Sequence, residues 1–273
     1  LTREDFMCGN AVNRRHIRGL VEAVAGRTID QSADLMEHIS HSLRYYRLGV
    51  SSNHKDNAFL NMWIGLEFLT RTPNSENTSD SVFQFLPAVW ALGMMRRRLW
   101  ALQHLTVDED AARISEILNE DFASMSPEAL YSHACNVDLG ARMLSALSES
   151  PLARYRMEQA CTLCQDYGRF KQALTLSYQL AKWQLHRIYR LRNAIVHSAR
   201  HSLPLLHVYP HLQEYLQYML ARGLDALVGE RQPGQLCEAY WGSVVMYERL
   251  IKRNTNEGFS AADIAALLEA PPE

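Results

Sequence analysis

The stretch Arg190-Leu191-Arg192-Asn193-Ala194-Ile195-Val196-His197 gathers side chains that suit phosphate chemistry. An imidazole moves protons near neutral pH, and a guanidinium matches phosphate oxygens with two parallel hydrogen bonds. At about 100° per residue, His186, Arg190, Asn193 and His197 fall within about 60° of one another on a helix. Ile188, Leu191 and Ile195 fall on the opposite side. The segment is therefore expected to bury one face and offer the other to a ligand or partner. An ordinary solvated face is the alternative, since basic residues are common on helix exteriors. Against that alternative, the stripe has no acidic residue at helical i±4 spacing to neutralise it. Arg192 borders the apolar arc, about 140° from His197 on a regular helix.

A second oddity lies far upstream. In the stretch NAFLNMWIGLEFL, Phe59, Leu60, Trp63 and Ile64 build an apolar arc, and Glu67 falls inside it. An unpaired buried carboxylate is costly, so Glu67 is expected to reach an edge or meet a cation. Arg192 or Arg190 is the first candidate. A plain Glu–Arg tie between two helices would satisfy the same pattern without any role in chemistry.

Composition narrows the classes. The chain has 273 residues, 47% of them hydrophobic, which suffices for a large core. With 28 basic and 30 acidic residues the formal net charge is -2, so no global basic field is present and any nucleic-acid contact must be local. Five cysteines, an odd number, point to reduced thiols and a cytoplasmic home. Cys161-Thr162-Leu163-Cys164 is a single CxxC in helical sequence and is expected to be two partly buried helix cysteines. No HExxH string and no carboxylate cluster for magnesium is evident, so neither a metal site nor a cofactor is expected. No apolar run approaches the roughly 18 residues that span a bilayer.

The elements that must position these residues are helices throughout, because apolar spacing is helical and strand-like alternation is hard to find. Helices are expected over about 10–26, 31–49, 56–71, 83–105 (with Pro87 in its first turn), 108–119, from 126, from 151, over 168–201, 210–228 and 236–252. The segment TPNSENTSDS reads as a loop, and Ser260-Ala261-Ala262-Asp263 as a capping box for a final short helix. The run Arg96-Arg97-Arg98 splays over about 200° of a helix and cannot form one flat patch.

Taken together, these residues resemble a HEPN domain, the all-α bundle whose ribonuclease members carry Arg, four to six residues, then His. Arg192 to His197 fits the four-residue spacing with a polar residue directly after the Arg, and Arg190 to His197 fits the six-residue spacing. HSLRYYRLGVSSNHKDNAFLNMWIGLEFL is similar to the front helices of the ApeA-like subgroup, and LHVYPHLQEYLQYMLARGL to its closing helix. The resemblance covers residues 31–229. Residues 1–30 then read as an N-terminal segment, the end of a preceding sensor domain, and 230–273 as a C-terminal helical extension. The resemblance implies a metal-independent endoribonuclease leaving a 2′,3′-cyclic phosphate. His197 would act as acid or base, Arg192 would stabilise phosphorane charge and Asn193 would orient its neighbours, with Glu67, Arg190 and His186 in support. It also implies RNA as substrate, a homodimer that pairs the motifs, and a toxin or anti-phage setting. A noncatalytic helical module binding a nucleotide or a protein, or a plain scaffold, remains open beside it.

Overall fold

The computed structural model describes residues 33–72, 78–147, 149–198, 205–228 and 236–254, together with Phe259, Asp263 and Leu267. The expected helix over 10–26 and Ser260 of the capping box lie outside the described residues. Within them the fold is all-α, as the periodicity predicts. In chain order the helices are α1 Ala33–Ser51, α2 Lys55–Thr70, α3 Thr78–Leu92, α4 Met94–Leu105, α5 Asp108–Leu118, α6 Pro127–Cys135, α7 Val137–Ala146, α8 Pro151–Gln165, α9 Tyr167–Ser198, α10 Leu205–Val228 and α11 Leu236–Lys252.

Helix ends follow local chemistry. Ser126 Oγ accepts from the Ala129 amide at 3.2 Å, so the Ser-Pro-Glu start of α6 is a true N-cap. Asn136 Oδ1 accepts from the Leu139 amide at 3.1 Å and opens α7, a start not among those expected from the sequence. Asn119 ends α5 in the left-handed region at φ 55°, which Asn tolerates better than most residues.

Three expectations are corrected. The single helix over 83–105 is two, divided at Gly93, the poorest helix former apart from proline, whose carbonyl accepts from the Arg97 amide at 3.1 Å. Because α3 starts at Thr78, Pro87 lies in its interior and not in its first turn, and the expected loop ends early. Pro210 likewise sits inside α10 and does not open it. Val82, Phe85, Leu86 and Val89 around Pro87 are buried, as are Val208 and Leu212 around Pro210. Burial of a helix face outweighs the lost backbone bond at each proline.

The described residues divide into two compact units, one holding the chain up to Ala91 with Ser177–Glu248, the other Leu92–Leu176 with the segment from Arg249 to Ala270. The first unit thus joins segments from both sides of Leu92–Leu176, and the 236–248 part of α11 belongs to it. The first unit has one core, in which Phe59, Met62, Trp63 and Leu66 of α2 meet Leu185 and Ile188 of α9 and Leu212 and Leu216 of α10. Gly65 lets α2 come close to α1 and α10: a Cβ there would lie 3.2 Å from Leu216 Cδ2 and 3.3 Å from the Ser42 carbonyl oxygen. In the second unit, Gln103 Nε2 donates to the carbonyls of Phe122 (3.0 Å) and Met125 (2.8 Å), tying down the 119–126 connection.

Candidate functional site

The 177–198 part of α9 stays regular through Ser198, so the helical arithmetic of the sequence applies to the structure. Leu191 is buried, and Ile195 is half-buried against the core, as the apolar face requires. His186, Arg190 and His197 are exposed, while Arg192 and Asn193 are half-buried. Arg192 Nη1 donates to Asn193 Oδ1 at 3.0 Å, so the asparagine orients the guanidinium directly. Arg190 Nε donates back to the His186 carbonyl at 3.3 Å. His197 occupies the last turn of α9.

The regular helix has a consequence for the chemistry. Unwinding near His197 would let one copy aim Arg192 and His197 at the same phosphate, and the helix does not unwind there. The two side chains of one chain remain about 140° apart around the axis.

The expected Glu67–arginine pair does not form. Glu67 Oε1 instead accepts from Trp63 Nε1 at 2.7 Å and from Ser79 Oγ at 2.6 Å. Glu67 is half-buried at the edge of its arc, and these two donors of α2 and α3 satisfy it without a cation. Its link to α9 is aromatic. The Trp63 ring lies 5.8 Å from that of Tyr189, which meets Phe83 edge-on at 5.7 Å, and Phe83 lies 4.7 Å from the His186 ring. Glu67 thereby helps to fix the ring on which His186 rests.

Three residues near the stripe escaped the sequence reading. Trp183 is 59% exposed, and the Arg187 guanidinium sits 5.1 Å above its ring. Trp183, Arg187, Arg190 and His197 share an arc of about 80° along α9. On α10, His211 has its pKa lowered by burial and by the Arg187 charge, which holds it neutral at pH 7. The spacing of Trp183 to Arg187 was visible in the sequence; the approach of His211 depends on how α10 packs.

Among the described residues, none of Lys182, Arg187, Arg190 and Arg192 makes an ion pair. Arg187 Nη1 turns to the neutral Gln184 Oε1 at 3.3 Å. Among the described residues, the face that carries Arg187 and Arg190 is therefore uncompensated by neighbouring helices as well as by its own, while Lys182 and Arg192 lie outside its arc. No group of three His, Cys, Asp or Glu among the described residues could hold a metal ion, and no described helix is long and apolar enough to cross a membrane. No protein-family model, curated protein or solved structure matches this chain.

Proposed function

We propose that this chain is a metal-independent endoribonuclease of the HEPN type, acting on single-stranded RNA as a toxin or anti-phage defence effector. The observation that carries the reading is the uncompensated cationic face of α9, with an exposed tryptophan in it. Single-stranded nucleic acid binds through cations that track phosphates and aromatic rings that stack on bases. From Trp183 to His197 the face runs about 21 Å along the axis, enough to follow several nucleotides.

In the proposed reaction the RNA 2′-OH attacks the adjacent phosphorus. A base takes the hydroxyl proton, an acid returns a proton to the departing 5′-oxygen, and a 2′,3′-cyclic phosphate remains. His197 supplies the imidazole. Arg192, oriented by Asn193, stabilises the extra negative charge on the phosphorane. DNA lacks the nucleophile. Because one regular helix points these groups apart, the site is completed by a second copy: His197 of one chain and Arg192 of its partner address the same phosphate.

A second reading, a noncatalytic module that binds a nucleotide or a protein, draws support from the Trp183–Arg187 pair, which can hold a base and an anion without proton chemistry. Incubation of labelled single-stranded RNA with the protein in EDTA separates the two. Cleavage by wild type, with a loss of roughly 10²–10⁴-fold in His197→Ala and retained RNA binding, supports the enzyme. Arg192→Lys should bind RNA but cleave poorly, because it keeps the charge and loses the planar fork. RNA binding without cleavage by wild type, unaffected by His197→Ala, favours the module.

A further inference from the structure

Three thiols of the 92–176 unit take no part in the chemistry proposed for α9. Cys135 is the last residue of α6, and Cys161 and Cys164 lie on α8. The C-terminal ends of these two helices meet. Cys135 Sγ donates to the Cys164 carbonyl oxygen at 3.5 Å, and Gln165 Nε2 donates to the Ala134 carbonyl oxygen at 2.9 Å. Each contact satisfies a carbonyl that a helix end leaves without an intrahelical partner. Gly140 of α7 makes room for the cluster, since a Cβ there would lie 3.1 Å from Cys161 Sγ. Cys161 and Cys164 are buried and Cys135 is half-buried, so Cys135 is the thiol a small oxidant reaches first. The three thiols do not form a set that could hold a metal ion.

We propose that Cys135 and Cys164 form a peroxide-oxidisable pair, in which Cys135 reacts first and Cys164 resolves it to a disulfide between α6 and α8. The oxidant is hydrogen peroxide. The Cys135 thiolate attacks one peroxide oxygen, the O–O bond breaks, and the departing oxygen leaves as water once protonated, giving a sulfenic acid. The Cys164 sulfur then attacks the sulfenic sulfur. The S–S bond forms, the S–OH bond breaks, and the hydroxyl leaves with the Cys164 proton as a second water. Two electrons pass from the two thiols to one peroxide.

The environment of each thiol fits its place in this order. Hydrogen bonding with the adjacent Cys164 thiol draws Cys135 down against the opposing effect of burial and so favours its thiolate. Hydrogen bonding to Cys135 together with burial pushes Cys164 up. Burial pushes Cys161 up to about 11, which leaves it the inert member of the three.

The test treats the full chain with hydrogen peroxide, blocks free thiols under acid quench, and maps cross-linked peptides by mass spectrometry with and without dithiothreitol. The expected product is a dithiothreitol-reversible link between the peptides holding Cys135 and Cys164. Cys161→Ser should retain that link. Cys164→Ser should leave Cys135 as a sulfenic acid that a dimedone probe captures, raising the captured signal at least tenfold over wild type. Far-ultraviolet circular dichroism confirms that each variant keeps its helix content. A Cys135–Cys161 link in wild type would overturn the assignment, as would Cys135 accumulating as sulfenic or sulfinic acid while Cys164 stays free. Failure of Cys135 to oxidise at peroxide concentrations that convert exposed methionines would overturn it too.

Discussion

At the scale of single residues, Glu67 shows how one carboxylate can satisfy a pattern in an unexpected way. Its oxygen receives the Trp63 indole N–H and the Ser79 hydroxyl, and both donors come from the first unit's own helices. Glu67→Gln keeps an acceptor oxygen there and should cost less than about 1 kcal/mol. Glu67→Ala strands a buried indole N–H and should cost about 1–3 kcal/mol in urea denaturation. Equal costs would mean that these bonds do not anchor the site. His211 gives the pH dependence its sign. Burial and Arg187 lower its pKa, so the folded chain holds this proton less tightly than the unfolded chain does. Its contribution is constant at high pH, and stability falls as pH drops through the ordinary histidine value near 6.5. It levels off below the depressed folded value. The melting temperature of wild type should fall between pH 7.5 and 5.5 by more than that of His211→Gln.

At the scale of helices, α1, α2 and α10 depend on Gly65. A methyl group there meets Leu216 Cδ2, the Ser42 carbonyl oxygen and Tyr45 Cβ at 3.2–3.3 Å, on three sides at once. Gly65→Ala gains helix propensity at this position, since alanine is favoured over glycine by about 1 kcal/mol. Overpacking costs about 1–3 kcal/mol, and the contact with backbone places it at the upper end. The variant should therefore be destabilised by about 1–2 kcal/mol in urea denaturation, and no change or a gain would show that α1 can retreat. The same packing explains the two interior prolines. Each interrupts the backbone ladder of a helix whose flanking residues are buried, so tertiary contact holds together what local propensity would break.

At the scale of the molecule, a regular α9 makes the proposed site a shared one, and mixing two inactive variants tests that directly. In a twofold dimer of Arg192→Ala with His197→Ala, one of the two composite sites holds an intact histidine from one chain and an intact arginine from the other. Co-refolded equal mixtures should recover about a quarter of wild-type RNA cleavage, because about half the dimers are mixed and each has one working site. No recovery would place both residues in a single-chain site. The sequence by itself determined the all-helical class, the bounds of α1, α2 and α11 to within a few residues, the start of α8, and the two faces of α9, because these rest on spacing along one helix. It also showed that the basic stripe has no acidic partner at i±4 on its own helix. Only the tertiary structure decided that no other described helix neutralises that stripe, that Glu67 is met by Trp63 and Ser79, that His211 comes under the influence of Arg187, and that Cys135 meets Cys164. Each of these joins residues on different helices, and helical periodicity fixes which side of a helix a residue occupies but not which neighbour packs against it.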